Sequence, residues 1–249
     1  MSYIIALAGK GGTGKTTIAS LLVRILKEAK KGSILAVDAD PNSNLAEFLG
    51  VKQEKSIGLI LDEISANPDM VPKGMAKDRF IELEVQKAVA EDHGFDVLTM
   101  GRPEGPGCYC YVNNVLRNLM TKIASDYDYV IIDNEAGLEH LSRRTMRSAD
   151  DLIIISDATQ AGLRAARRIL ELVFELKIKI KKKFLIINRS DSIFDSRSLK
   201  DFEEVNYLGQ IPEDKEILEL SRAGVSLLKL NNNALTFKKL REMMEKIWQ

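Results

Sequence analysis

Near the start of the chain, Gly9, Gly14, Lys15 and Thr16 have the types and spacing of a phosphate seat, G-x-x-x-x-G-K-[ST]. Without Cβ atoms in the way, the backbone N–H groups of Gly11, Gly12, Thr13 and Gly14 can turn inward around an anion. A helix opening directly after the loop would aim its positive dipole end at the same charge. Lys15 would then reach the β- and γ-phosphates of a nucleotide. The Thr16 hydroxyl would take one position on Mg²⁺, and Thr17 would close the contact set.

Two acidic segments have the right types to serve that seat. Asp38-Ala-Asp40-Pro-Asn-Ser-Asn-Leu45 follows one apolar run, and Asp133-Asn-Glu-Ala-Gly137 follows another. In open α/β sheets ligands sit outside the carboxyl ends of the strands, so Asp38 and Asp40 should project toward the loop. Either Asp38 or Asp40 could instead cap the helix expected to begin near 42–44.

A third constellation is Cys108-Tyr-Cys110. Residues two apart in extended backbone point to one side, with Cα atoms about 6.5–7 Å apart, so both thiols can reach one metal ion. A helix starting just after them would favour the thiolate. Two thiolates make half of a tetrahedral or square-planar site, and the chain has only two histidines, His93 and His140, and no further cysteine. A two-fold dimer would supply four sulfurs. Thiolates suit Zn²⁺, Cu(I), Fe and Ni²⁺ alike. The plainer alternative is a pair of buried, hydrophobe-like cysteines.

Positioning these residues requires strands that end where they stand. Apolar runs at Tyr3–Ala8, Ser33–Val37, Phe95–Met100, Asp128–Ile132, Asp151–Ser156, Lys183–Ile187 and Val205–Ile211 read as strands. Helical spacing recurs at Ile18–Ala29, Ile57–Ile64, Val115–Ile123 and Gly162–Leu176, and in a C-terminal helix with Phe237, Leu240, Met244 and Ile247 on one face. The alternation predicts an α/β fold, a single P-loop NTPase domain over residues 1–249 with a mainly parallel sheet flanked by helices. Residues 67–77 read as a loop. Residues 80–90 fit strand and helix equally, and the stretch 51–93 is expected to be mobile or dimer-facing. Residues 101–111 form the cysteine loop. His140 reads as a structural histidine or a metal ligand. The lysines of 177–183 read as a solvated helix end and an edge strand.

Bulk composition narrows the classes. Lys plus Arg and Asp plus Glu both number 36, which gives no global field for nucleic acid or an anionic membrane. No apolar run reaches the ~18–20 residues of a membrane span, and the N-terminus has no charged leader region. The expectation is a cytoplasmic chain with no nucleic-acid or membrane partner.

Lys10, directly after Gly9, carries the first resemblance. A second lysine there is similar to the deviant P-loop of the ATPase class that contains the nitrogenase iron protein and the septum-positioning ATPases. The resemblance implies ATP and Mg²⁺ as ligands and a homodimer in which Lys10 reaches the partner's nucleotide. The alternative is a solvated loop lysine. It also implies that Asp40 activates the attacking water and that Asp38 and Asp133 support the Mg²⁺ hydration shell. Asn188, Arg189 and Pro212 would surround the adenine. The set Gly9–Thr17, Asp38–Leu45, Cys108–Cys110 and Gly137–Arg143 resembles, more narrowly, the carbon monoxide dehydrogenase maturation ATPases. That family implies a metallochaperone carrying Ni²⁺ (or Zn²⁺) between Cys108 and Cys110 of two subunits, with carbon monoxide dehydrogenase as client. Alternatives are a maturation factor for acetyl-CoA synthase, a positioning or partition ATPase, and an iron–sulfur electron donor.

Overall fold

The computed structural model describes residues 2–40, 42, 44–53, 55–101, 119–136, 148–200 and 202–248. Its strands are β1 (Tyr3–Gly9), β2 (Ile34–Ala39), β3 (Ala90–Asp92), β4 (Phe95–Thr99), β5 (Tyr129–Asn134), β6 (Ser148–Ser156), β7 (Lys179–Ile187) and β8 (Asn206–Gln210). They form one eight-stranded sheet in the order β3-β4-β2-β5-β1-β6-β7-β8. Neighbours run parallel, except that β3 returns antiparallel along β4. The expected α/β architecture is therefore the one found.

A parallel sheet must be covered on both faces, which is why its central strands are apolar throughout rather than alternating. On one face, α1 (Lys15–Glu28), α2 (Leu45–Leu49) and α8 (Leu235–Ile247) pack over Ile5, Leu7, Ile131 and Ile153. On the other, α3 (Ile57–Ala66), α4 (Lys77–Lys87) and α5, helical over 119–124, cover Leu35, Val37, Leu98 and Ile132. Next to them α6 (Gln160–Glu175) covers Ala6, Ala8, Leu152 and Leu185. The remaining helix, α7 (Lys215–Arg222), has no buried residue and is joined to α8 by a short 3₁₀ turn at Leu227–Lys229 and a polar loop.

Several elements differ from the sequence reading. Residues 80–90 resolve as helix for most of their length, because Ile81 and Val85, four apart, both bury against the sheet. Within the stretch 51–93, the helix expected at 57–64 forms as α3, and its Ile57, Ile60 and Ile64 join the same core. The short β3 gave no periodic signal. Strand β8 lies outside β7, but the lysine-rich half that was expected at an edge does stand at one, because β8 pairs only from Phe184 onward. The apolar stripe of α8, by contrast, packs as its sequence pattern implied, with Phe237, Leu240, Met244 and Ile247 all buried in the core. Among the described residues, no helix is long and apolar enough to cross a membrane.

Candidate nucleotide site

Strand registers assemble the site. Although β5 lies far along the chain from β1 and β2, it inserts between them, aligning Asp133 with Leu7 on one side and Asp38 on the other. The phosphate loop leaves β1 two residues beyond that level. Gly9 ends the strand in contact with β6, where an added Cβ would fall 2.2 Å from the Ile155 carbonyl oxygen. A side chain there would push the loop off the sheet.

The loop is held from within. Thr13 donates to the Lys10 carbonyl from both its backbone N (3.3 Å) and its hydroxyl (2.8 Å), and Lys15 Nζ reaches the same carbonyl at 3.4 Å. Lys15 is 6% exposed. Burial lowers its pKa, while the negative charges of Asp133, Asp40 and Glu135 oppose the shift. Lys10, Gly11 and Gly12 lie on the exposed outer side, Thr13 and Thr17 are buried, and Gly14 and Thr16 are half-buried.

The carboxylates differ in how they are satisfied. Asp38 is fully buried and uses both oxygens, accepting from Leu45 N at 2.8 Å and Asp40 N at 3.1 Å. The helix-starting role considered for an aspartate here thus falls to Asp38, which receives the first amide of α2. Burial still pushes Asp38 up to about 6, against those hydrogen bonds. Asp40 is half-buried, and its Oδ1 accepts from Asn42 N at 2.9 Å. Asp133 is 1% exposed, with no ordinary hydrogen-bond partner at either carboxylate oxygen. Burial pushes it up to about 7; the neighbouring Thr16 hydroxyl and Lys15 oppose the shift, and Asp38 and Asp40 add to it.

Two orphaned carboxylate oxygens beside a threonine hydroxyl and a glycine cradle suit a hydrated divalent cation bound with a polyphosphate. Mg²⁺ prefers few carboxylates, several waters and phosphate oxygens. The donor set therefore fits Mg²⁺ and a nucleotide, with Thr16, Asp133 and Asp38 on the cation side and residues 11–17 on the phosphates.

At the end of β7, Asn188 is buried and donates from Nδ2 to the Thr13 carbonyl at 2.8 Å; Arg189 donates from Nη1 to the Gly12 carbonyl at 2.9 Å. Both side chains, expected at a base, are here engaged with the phosphate loop. Pro212, half-buried, follows Ile211, whose backbone bonds Ile187 and Ser190. The sequence reading overlooked Asn134, which is buried and donates from Nδ2 to the Leu7 carbonyl at 2.8 Å, tying the end of β5 to β1. An asparagine directly after a strand-terminal aspartate was the available signal.

Cys108, Cys110, Gly137 and His140 lie outside the described residues. His93 is exposed in the β3–β4 turn. Among the described residues, no group of three or more His, Cys, Asp and Glu side chains could hold a metal.

Comparison with known proteins adds to this geometry. A family described as an AAA domain matches residues 1–186. An uncharacterized ATP-binding protein of Methanocaldococcus jannaschii, MJ0685, is 44% identical over 248 residues, covering 98% of each chain. The carbon monoxide dehydrogenase accessory protein CooC of Rhodospirillum rubrum is 33% identical over 244 residues, covering 91% of this chain and 90% of its own. Among solved structures, the cell division ATPase MinD of Pyrococcus furiosus superposes with a TM-score of 0.69 at 26% identity, covering 99% of this chain and 100% of that one.

Proposed function

Because the chain belongs to the AAA-domain family, as a P-loop ATPase of the MinD and ParA type, we propose that it couples ATP hydrolysis in a homodimer to the delivery of a metal ion. The cargo is nickel, and the client is a carbon monoxide dehydrogenase under maturation. The observation that carries this reading is Cys108-Tyr-Cys110 in the segment that follows β4. Thr99, the last residue of β4, is level with Asp38, so β4 ends on the nucleotide edge. The 33% identity to the Rhodospirillum accessory protein supports the choice of client.

In this reading residues 11–17 bind the phosphates, and Thr16, Asp38 and Asp133 would hold Mg²⁺, which would supply charge neutralisation there. Asp40 orients and deprotonates the attacking water. Lys10, exposed at the outer face of the loop, reaches the nucleotide of the second subunit and stabilises charge developing on the transferred phosphoryl group. The thiolate pairs of two subunits close on one ion, so cargo affinity and dimer affinity rise together by linkage. A maturation factor for acetyl-CoA synthase would work in the same way. A positioning ATPase is the second reading, favoured by the likeness to MinD. It gives no use for Cys-x-Cys, and its membrane-binding form would need a free amphipathic helix, whereas the apolar face of α8 is buried.

Sedimentation with and without ATP and Ni²⁺ tests the proposal. Wild type should dimerise on adding metal, at about one ion per two chains. Cys108→Ser and Cys110→Ser should each lose that response and keep ATP binding. A tight complex of one ion per monomer, indifferent to nucleotide and protein concentration, defeats the mechanism. Asp40→Ala should retain ATP and lose turnover; hydrolysis within about twofold of wild type would remove Asp40 from its role.

A further inference from the structure

A loop that turns its N–H groups toward phosphate must turn carbonyls away from it, and each of those needs a donor from protein or water. The Lys10 carbonyl is served locally, by Thr13 and Lys15. Two later carbonyls are served from the end of β7, two strands away from β1. Gly12 O takes Arg189 Nη1 at 2.9 Å and Thr13 O takes Asn188 Nδ2 at 2.8 Å, donors 177 and 175 residues away. They are consecutive residues, so the end of β7 grips two consecutive carbonyls of the loop.

The grip is itself firmly founded. Asn188 N donates to Ser156 O of β6 at 2.7 Å, and the residue is 6% exposed. Arg189 sits at φ 55, left-handed backbone that costs an arginine about 1–2 kcal/mol. Although the residue is exposed, its guanidinium is directed at the Gly12 carbonyl. Gly14 completes the fit: a Cβ there would come within 2.5 Å of Asn188 Nδ2. The glycine therefore makes room for the grip as well as for the turn. Ser190 N donates to Ile211 O at 3.0 Å, and Asp191 accepts from Glu213 N at 3.1 Å. The segment carrying Pro212 is thus fastened to the same corner.

We infer that Asn188 and Arg189 are positioning residues for the phosphate cradle. By holding the Gly12 and Thr13 carbonyls outward, they keep the loop's N–H groups aimed before any ligand arrives. The inference rests on the nucleotide-site reading and parts from a base-contact role in what it predicts. A base contact changes the preference for adenine over guanine. A brace on the loop acts on phosphate whatever base is attached.

The experiment is calorimetric titration of ATP, GTP and inorganic tripolyphosphate, each with Mg²⁺, into wild type, Asn188→Asp, Arg189→Gly and Arg189→Lys. Asn188→Asp keeps the shape and removes the donor. Arg189→Gly removes the side chain while relaxing the left-handed backbone, so its apo unfolding temperature should equal or exceed that of wild type. Asn188→Asp should weaken all three ligands by one common factor of about tenfold. Arg189→Gly should do the same by a smaller factor, and Arg189→Lys should recover part of it. A loss confined to ATP, with tripolyphosphate untouched, overturns the brace in favour of base recognition. Unchanged affinity for all three overturns it outright. Lys15→Ala, titrated in parallel, checks the underlying site: if it binds ATP as wild type does, the nucleotide-site reading fails and not merely the brace.

Discussion

The two edges of the sheet treat buried and half-buried polar groups in opposite ways. At the amino edge, protein partners are supplied. Tyr3 OH donates to Asp151 at 2.8 Å, Asp150 accepts Ile4 N at 2.8 Å and pairs with Lys181 at 2.6 Å, and Tyr127 OH donates to Asp96 at 2.7 Å. At the carboxyl edge, Asp133 has no ordinary partner at either oxygen, Asp38 is pushed up to about 6 despite two amides, and Lys15 is buried with its pKa lowered. Burying a charge without full compensation is costly, so folding alone would not retain it. The amino edge is arranged for the fold, and the carboxyl edge is arranged for what binds there. Asp151 qualifies the contrast, since one of its oxygens also lacks a partner while the other takes Tyr3.

Substitutions can break this contrast. The largest effect belongs to Lys15. Lys15→Met should weaken ATP binding by about a hundredfold or more, the worth of a charge-assisted contact to phosphate, measured by titration calorimetry. Asp133→Asn should act in two directions. Removing a poorly compensated buried charge should stabilise the apo protein by about 1–3 kcal/mol at pH 8, while the Mg²⁺-dependent part of ATP affinity is lost. Denaturant unfolding with and without Mg²⁺ and ATP reads both.

The same substitution gives a pH signature. In the folded apo protein Asp133 and Asp38 titrate near 7 and 6, above the ~3.9 of an unfolded aspartate. Between those values the native state holds the extra protons, so stability falls as pH rises. The contribution of these groups is fully favourable below about pH 4 and is lost as pH climbs through 6 and 7. Asp133→Asn should flatten the upper part of that decline in unfolding curves taken from pH 5 to 8. A steeper decline would reverse the assignment.

The smallest effect is expected at the other edge. Tyr3→Phe strands the Asp151 carboxylate and should cost about 1 kcal/mol of stability, with ATP affinity unchanged within error. If it altered nucleotide binding as strongly as stability, the separation of the two edges would not hold.

What could be read from the chain follows the same division. The phosphate loop was legible because its glycines are chemical requirements at fixed spacing: Gly9 meets Ile155, and Gly14 adopts φ 93. The acidic strand ends were legible because open sheets bind ligands there. The insertion of β5 between β1 and β2 was not, since strand order is decided by packing among helices that lie far apart in the chain. The choice of helix for 80–90 depended on which face of the sheet Ile81 and Val85 would find. The brace from β7 was missed for a related reason. Asn188 and Arg189 look like turn or base-contact residues until the fold brings them to carbonyls more than half the chain away.

The enclosure of α1 has a mechanical consequence. From Ile18 to Leu26 every residue is buried, and Arg24, stacked 4.1 Å from the Phe237 ring, bonds the Leu230 carbonyl. A rod packed on all sides at interior density has almost no free volume into which it can tilt or slide. Its first turn is the floor of the phosphate seat. The seat therefore behaves as a stator, and any stroke driven by the nucleotide must be delivered by parts of the molecule other than the helix that holds it.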